Sequence, residues 1–257
     1  MTIVPRVIPV LLLSQHRFVK TRKFKSPIYI GDPINTIRIF NEKEVDEIII
    51  IDIDASKQSK APDFKFIEDL AAECFMPLTY GGGVKSIEHA EELFSLGVEK
   101  ISVQSEFRKR PEFIVELSER FGKQSIIASI DVKANILGRK SIYDPEKKKI
   151  SSSQPEDVIQ NYEQLGAGEI LINSVDRDGT LMGPDLEVVR RCASVSSIPI
   201  TVIGGISSMQ DIIDAWKAGA NGIGAGSFFV FHGPHRAVLI TYPKREELEA
   251  HFTQVKL

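Results

Sequence analysis

The sequence predicts an α/β fold: a closed (β/α)8 barrel, built from two similar half-barrels and occupying residues 1–257 as a single domain. Three observations carry that expectation. Short β-branched runs alternate with helical patterns along the whole chain. Runs such as "EIIIIDID" (47–54) and "SIIASID" (125–131) are apolar on successive residues, as parallel strands covered on both faces should be. Finally, "PLTYGGGVKSIEHAEELFSLGVEKI" (77–101) matches "PITVIGGISSMQDIIDAWKAGANGI" (199–223) without a gap, at an offset of 122 residues. The same offset carries Glu47 to Glu169 and Asp54 to Asp176. A half-barrel cannot bury its own apolar face, so duplication and closure is a physically sensible origin.

The first strand covers about 6–12, where "RVIPVLLLS" turns from β-branched residues to three leucines, Leu11 to Leu13, and enters a basic loop. Strands follow near 47–53, 77–80, 98–104, 125–131, 168–174, 199–203 and 221–226. Helices are expected near 33–45, 62–75, 86–96, 110–121, 155–166, 185–195, 208–218 and 245–252. One segment breaks the rhythm. "VKANILGRKSIYDPEKKKISSSQ" (132–154) is polar, with turn signals at Gly138 and Asp144-Pro145, and reads as a long loop or hairpin at the catalytic face.

Composition narrows the function. The chain has 257 residues, 42% hydrophobic and 26% charged, which suits a soluble globular barrel. A formal net charge of −3 gives no reason to expect nucleic acid or an acidic membrane as a partner. Cys74 and Cys192 read as buried free thiols in a reducing compartment. The apolar runs are too short to span a bilayer and no signal peptide opens the chain, so a cytoplasmic location is expected. His16, His89, His232, His235 and His251 have no metal-ligand spacing, and neither a metal nor another cofactor is expected. His232 and His235 flank a Gly-Pro turn.

Glycine-rich turns close several strands: Gly82-Gly83 after the third, Gly204-Gly205 after the seventh, and Gly226-Ser227 after the eighth. After the sixth, "DRDGT" adds Asp176, Gly179 and Thr180. Such turns let backbone N–H groups approach an anion, and strands seven and eight commonly grip phosphate in barrels. The expectation is a phosphorylated small molecule with two phosphates, one near Gly83 and Ser105 and one near Gly205 and Ser227. The Gln104 side is expected to be the weaker. Asp131 ends the fifth strand, where a barrel places general acids and bases. Asp176 and Asp178 read as further acids, or else Asp178 caps the following turn and Arg177 pairs locally.

The segments "RVIP", "DEIIIIDIDAS", "GGGV", "GVEKIS", "SIDVK", "GAGEILINSVDRDGT", "IGGI" and "AGSFF" cover nearly the whole chain. Together they resemble the cyclase subunit of imidazole glycerol phosphate synthase, the HisF-like family. The resemblance implies that a glutaminase docks at the bottom of the barrel and sends ammonia through it to a bisphosphorylated nucleotide at the top. It also implies two catalytic aspartates, at the ends of strands one and five. The second is Asp131; the first position holds Leu12. Other departures fall at the same end: Gln104-Ser105 stands for Asn-Thr, and Lys20-Thr21 for Lys-Gly. The charged ring at the channel entrance matches at all four places, as Arg6, Glu47, Lys100 and Glu169, with Glu99 beside it as a contact for the glutaminase.

With its top altered and its bottom retained, the chain is most similar to an offshoot of the family, the glycosyl amidation-associated proteins of surface-polysaccharide pathways. The tail "FVFHGPHRAVLITYP" (229–243) supports this likeness. It implies a subunit that passes ammonia from a glutaminase to a separate sugar amidotransferase, converting an N-acetyl group to an acetamidino group. Two alternatives stand beside it: the cyclase of histidine biosynthesis, and a scaffold that activates the glutaminase.

Overall fold

The computed structural model describes residues 4–233 and 235–253. The first half of the chain runs β1 (Arg6–Ser14), β2 (Arg17–Arg22), β3 (Lys25–Gly31), α1 (Pro33–Glu42), β4 (Ile48–Asp52), α2 (Phe64–Glu73), β5 (Leu78–Gly81), α3 (Ile87–Ser95), β6 (Lys100–Val103), α4 (Ser105–Lys109) and α5 (Phe113–Phe121). It continues through β7 (Ile126–Ala134), β8 (Lys140–Asp144), β9 (Lys149–Ile150), α6 (Pro155–Gln164), β10 (Glu169–Ser174), α7 (Leu186–Ala193), β11 (Ile200–Ile203), α8 (Met209–Lys217) and β12 (Gly222–Ala225). The tail adds α9 (Ser227–Val230), β13 (Phe231–His232), β14 (Ala237–Val238) and α10 (Arg245–Thr253).

Eight strands, β1, β4, β5, β6, β7, β10, β11 and β12, pair in parallel in that order. β12 then pairs with β1, Arg6 opposite Gly222, and the barrel closes. This is the expected (β/α)8 architecture. The larger core lies between barrel and helices, where Ile37, Phe40, Leu93, Phe113, Leu117 and Ile212 are buried. Inside the barrel a separate apolar cluster of Ile8, Val10, Ile49, Ile127 and Leu171 is joined by Ile51 and Ile203.

The internal repeat extends to the helix caps. Ser86 and Ser208, at the repeat offset, each accept a backbone N–H three residues on, at the starts of α3 and α8. Asp63 and Asp185 do the same for α2 and α7. A side-chain acceptor at this position satisfies one of the donors that a helix start leaves free.

Three expectations change. The basic loop after the first strand is an antiparallel hairpin, β2–β3, entered by a two-residue turn at Gln15 and His16, both at positive φ (48° and 57°). Paired positive φ angles match the twist of the flanking strands. The helix expected over 110–121 begins only at Phe113, as α5, and a separate short helix α4 precedes it, because Pro111 has no N–H to donate and holds Arg110 out of the helical region (φ −142°, ψ 78°). Cys192 is buried as expected, but Cys74 lies at the end of α2, is half-buried, and donates to the Met76 carbonyl at 3.3 Å. The segment 132–154 forms the antiparallel array β7–β8–β9, the hairpin alternative. Among the described residues no helix is long and apolar enough to cross a membrane.

Phe107 anchors α4 to this frame. It is fully buried, with the rings of Phe113 and Tyr162 at 6.0 and 6.1 Å in edge-on geometry. Phe107→Ala is expected to cost about 3–5 kcal/mol of unfolding free energy, read as a lower urea midpoint.

Candidate functional site

At the N-terminal face, the first residue of β1 meets the starts of β4, β6 and β10. The Arg6 guanidinium donates through Nη1 to Glu47 Oε2 at 2.7 Å and through Nη2 to Glu169 Oε1 at 2.6 Å. Lys100 Nζ donates to Glu169 Oε2 at 3.1 Å and stands 3.9 Å from Glu47 Oε1. The structure therefore brings the four expected ring residues together, as two cations and two anions. Thr201 Oγ1 donates to Glu169 at 2.5 Å and Thr79 Oγ1 to Glu47 at 3.4 Å, two contacts that sequence reasoning missed. Burial pulls both Arg6 and Glu169 toward neutrality, but their mutual pairing outweighs it, so Arg6 is held above and Glu169 below the usual value. The apolar cluster of Ile8, Ile49, Ile127 and Leu171 lies on the barrel strands inside this ring.

At the C-terminal face the barrel opens into a cavity of about 510 Å³. Its wall includes Leu12 and Asp131, and also Gly82, Gly83, Gln104, Ser105, Gly179, Gly204, Gly205, Gly226 and Ser227. Asp176 and Thr180 do not line it. Asp176 Oδ2 accepts the Ala134 N–H at 2.8 Å, and Thr180 donates to the Arg177 carbonyl at 2.7 Å. Their side chains hold the strand-six and hairpin backbones, which corrects their expected place among the ligand contacts.

Asp131 is buried at the end of β7. Gln104 Nε2 donates to its Oδ2 at 2.5 Å, and Asn173, opposite it on β10, is a second hydrogen-bond partner. Burial pushes the carboxyl up to about 7, against the opposing pull of these two amides and of Arg108. A carboxyl so poised can exchange a proton near neutral pH. Asn173 was missed because a polar residue within "LINS" carries no signal of its own. Gln104, expected to contact phosphate, has its amide on Asp131 instead. Leu12 also faces the cavity and offers neither donor nor acceptor.

Lys20 is buried in the same wall. Its ammonium donates to the Val10 carbonyl, and desolvation, only partly offset by Asp178, pulls it down to about 7. Asp178 does not cap the following turn. Its Oδ2 accepts the Thr21 hydroxyl at 2.8 Å and the Phe24 N–H at 3.0 Å, pinning the β2–β3 hairpin across the mouth. Gly179 lets the chains meet, since a Cβ there would collide with the Thr21 carbonyl oxygen, and its φ is +63°. Arg177 pairs locally, as expected, donating to the Met182 carbonyl at 3.0 Å. From the other side, the β8 hairpin is tied down by Arg108 to Asp144 at 3.0 Å and by Lys140 to Asp185 at 2.7 Å.

Among the described residues no three His, Cys, Asp or Glu side chains converge to hold a metal. His232 and His235 are exposed on either side of the β13–β14 turn.

Residues 6–235 match the model of a family described as histidine biosynthesis protein. The chain belongs to this family. Its relatives place it on the HisF branch. A Leptospira interrogans protein, provisionally named imidazole glycerol phosphate synthase subunit HisF, is 47% identical over 96% of this chain and 98% of its own length. A Pseudomonas aeruginosa protein, provisionally named subunit hisF2 of the same synthase, is 46% identical over 95% and 98%. A Vibrio vulnificus protein, provisionally named subunit hisF3, is 44% identical over 94% of both chains.

The Asp131 environment has a stability consequence. An unfolded aspartate titrates near about 3.9 and the folded one near 7, so between these values the folded state holds a proton that the unfolded state has lost. Stability therefore falls as pH rises from about 4 to 7 and stays lowered above that. Asp131→Asn should raise unfolding free energy at pH 8 by roughly 1–3 kcal/mol, and the gain should fade toward pH 4. Urea denaturation at the two pH values checks the sign.

Proposed function

We propose that this chain is the synthase-side subunit of a glutamine amidotransferase, receiving ammonia at the N-terminal face and delivering it to a phosphorylated ligand at the C-terminal mouth. The observation that carries the reading is the neutralised ring of Arg6, Glu47, Lys100 and Glu169 below an apolar barrel interior and an open cavity. A neutral ammonia molecule crosses such an interior at far lower cost than a charged ion, for which desolvation is severe. Gly82, Gly83, Ser105, Gly204, Gly205, Gly226 and Ser227 supply the anion contacts, and Asp131 the proton transfer.

The partner is a glutaminase bound over the ring. Phe75, just before β5, is 84% exposed, and Glu99 is exposed beside Lys100. An aromatic side chain left in water shortly before a barrel strand starts suits the centre of an interface of about 1,600 Å². A glutaminase subunit from the same organism should co-purify with it at micromolar concentration. Phe75→Ala should weaken that association by at least about tenfold. Two folded proteins that stay apart would remove the reading.

Two acceptors fit such a subunit. The names of the relatives favour the cyclase reaction of imidazole glycerol phosphate synthase, with Asp131 as one of its two proton-transfer groups. Leu12 favours a different acceptor, in line with amidation of an N-acetyl sugar by a separate amidotransferase. Cyclisation takes a proton from one side of the substrate and returns one on the other, and an alkyl group at Leu12 can do neither. The loss of one positioned acid or base lowers rate by about 10²–10⁴. Turnover of the histidine-pathway nucleotide with excess ammonium should fall short of an ordinary cyclase by that factor. An ordinary rate would establish the cyclase reading and end the amidation one.

A further inference from the structure

The segment 132–154 holds six basic residues, Lys133, Arg139, Lys140, Lys147, Lys148 and Lys149, against two acidic ones, Asp144 and Glu146. That is a formal charge of +4 within a chain whose total is −3. Folding widens the imbalance. Arg108 takes up Asp144 at 3.0 Å and Glu146 at 3.4 Å, and Lys109 lies 3.0 Å from Glu146. Among the described residues, only Lys140 of the six cations lies within ion-pair distance of a carboxylate, 2.7 Å from Asp185 and 4.0 Å from Asp176. Lys147, Lys148 and Lys149 stand exposed at the β8–β9 turn. Lys133 and Lys148 also line the mouth of the cavity, beside Lys23 and Lys25 of the β2–β3 hairpin.

The β7–β8 turn lifts two aliphatic side chains out of this basic field. Val132 is the last residue of β7 paired within the barrel, so the turn at 135–139 lies beyond the C-terminal rim. Ile136 and Leu137 are 103% and 89% exposed. The turn is ordered all the same. Asn135 Oδ1 accepts the N–H groups of Leu137 and Arg139 at 2.9 and 3.0 Å. The Asn135 carbonyl accepts the Gly138 N–H at 2.9 Å, and the Asn135 N–H donates to the Arg139 carbonyl at 2.9 Å. The base of the hairpin is tied to the loop after β10, through Ala134 to Asp176 at 2.8 Å and Lys140 to Asp185. Met182 on that loop is 67% exposed and adds a third apolar side chain to the same side of the face.

We infer that this hairpin docks the C-terminal face of the barrel on an anionic lipid bilayer. Ile136 and Leu137 enter the boundary between headgroups and acyl chains, and the lysines of the array lie on the lipid phosphates. Charge complementarity and the chemistry of the tip select this occupant. Lysine is depleted in protein–protein interfaces, whose anchors are aromatic side chains and arginine. The array instead has five lysines, one arginine and an aliphatic tip. Lysine stems can lie along apolar surface while their ammonium groups stay among headgroups. A turn that satisfies its N–H groups internally can also leave water without stranding donors where lipid offers no acceptor. The net charge of −3, which gave no reason to expect an acidic membrane, averages this local excess away. The N-terminal face, proposed above for the glutaminase, points away from the bilayer, and the inference holds whichever acceptor the cavity takes.

The test is co-sedimentation of the full-length chain with vesicles of phosphatidylcholine, either pure or mixed with half its amount of phosphatidylglycerol. The chain should pellet with the mixed vesicles and stay in solution with the neutral ones. The pair Ile136→Ser and Leu137→Ser should lower the partition coefficient by at least about tenfold, the loss expected when two aliphatic side chains no longer leave water. The pair Lys147→Gln and Lys149→Gln, neither of which lines the cavity, should lower it by at least about fivefold. The pair Lys123→Gln and Lys217→Gln, exposed just after α5 and at the end of α8, removes the same charge from the other face and should leave it unchanged. Leu137→Trp should report insertion as a blue shift of emission on the mixed vesicles, beside the steady signal of the buried Trp216. Thermal unfolding confirms that each variant folds. Inorganic phosphate at matched ionic strength separates a lipid surface from a phosphate group held in the cavity, and it should not release the chain. Release by phosphate, equal effects of the two lysine pairs, or no loss from the serine pair would overturn the inference. Failure to pellet with the mixed vesicles would overturn it too, and tip-dependent association with an amidotransferase protein would then assign the hairpin to that partner.

Discussion

Closure of the parallel sheet, β12 against β1, is the constraint on which the rest of this molecule depends. A closed barrel has one inside, and every second side chain of eight strands must share it. Strand starts gather at one face and strand ends at the other, whatever their separation in sequence. Arg6 can therefore reach both Glu47 and Glu169, residues 41 and 163 positions away. Asp131, Gln104 and Asn173 are likewise brought to one point from three strands or strand ends.

The two faces treat charge in opposite ways. At the bottom, four ionised groups neutralise one another in a tight ring, with two threonine hydroxyls completing the carboxylates. Buried charge is tolerable only when paired in this manner. At the top, burial is left partly uncompensated. Asp131 and Lys20 are both drawn toward neutrality by desolvation, in opposite directions, to about the same pH. Groups poised near 7 suit proton exchange, and they lower the stability of the frame that holds them. The bottom is built for balance and the top for response.

Two hairpins flank the cavity, beside the turns that follow the other barrel strands. The β2–β3 hairpin is anchored across the mouth by Asp178, and β8 is held by Arg108 and Lys140. Each anchor joins a hairpin to a turn or helix from a distant part of the chain. A mouth held this way presents its lysines from defined backbone positions.

The barrel, its eight parallel strands and its duplicated halves were legible in the sequence, because apolar periodicity and a gapless repeat are local signals that closure only has to respect. The ring at Arg6, Glu47, Lys100 and Glu169 was legible through the resemblance, and so was Leu12 in place of an aspartate. Other features had to wait for the tertiary structure. The basic stretch after β1 looked like a loop, since two positive φ angles at Gln15 and His16 leave no mark on composition. Asp176 and Thr180 stood in the same motif as Asp178 and Gly179, yet only the latter two reach the cavity. Gln104 was given to a phosphate, and folding turned its amide onto Asp131. The sequence also contained every lysine of the mouth, scattered among 32 basic residues in a chain of net charge −3. Which of them remain without a carboxylate was decided by packing alone, since a charge is paired or free only once its neighbours in space are known.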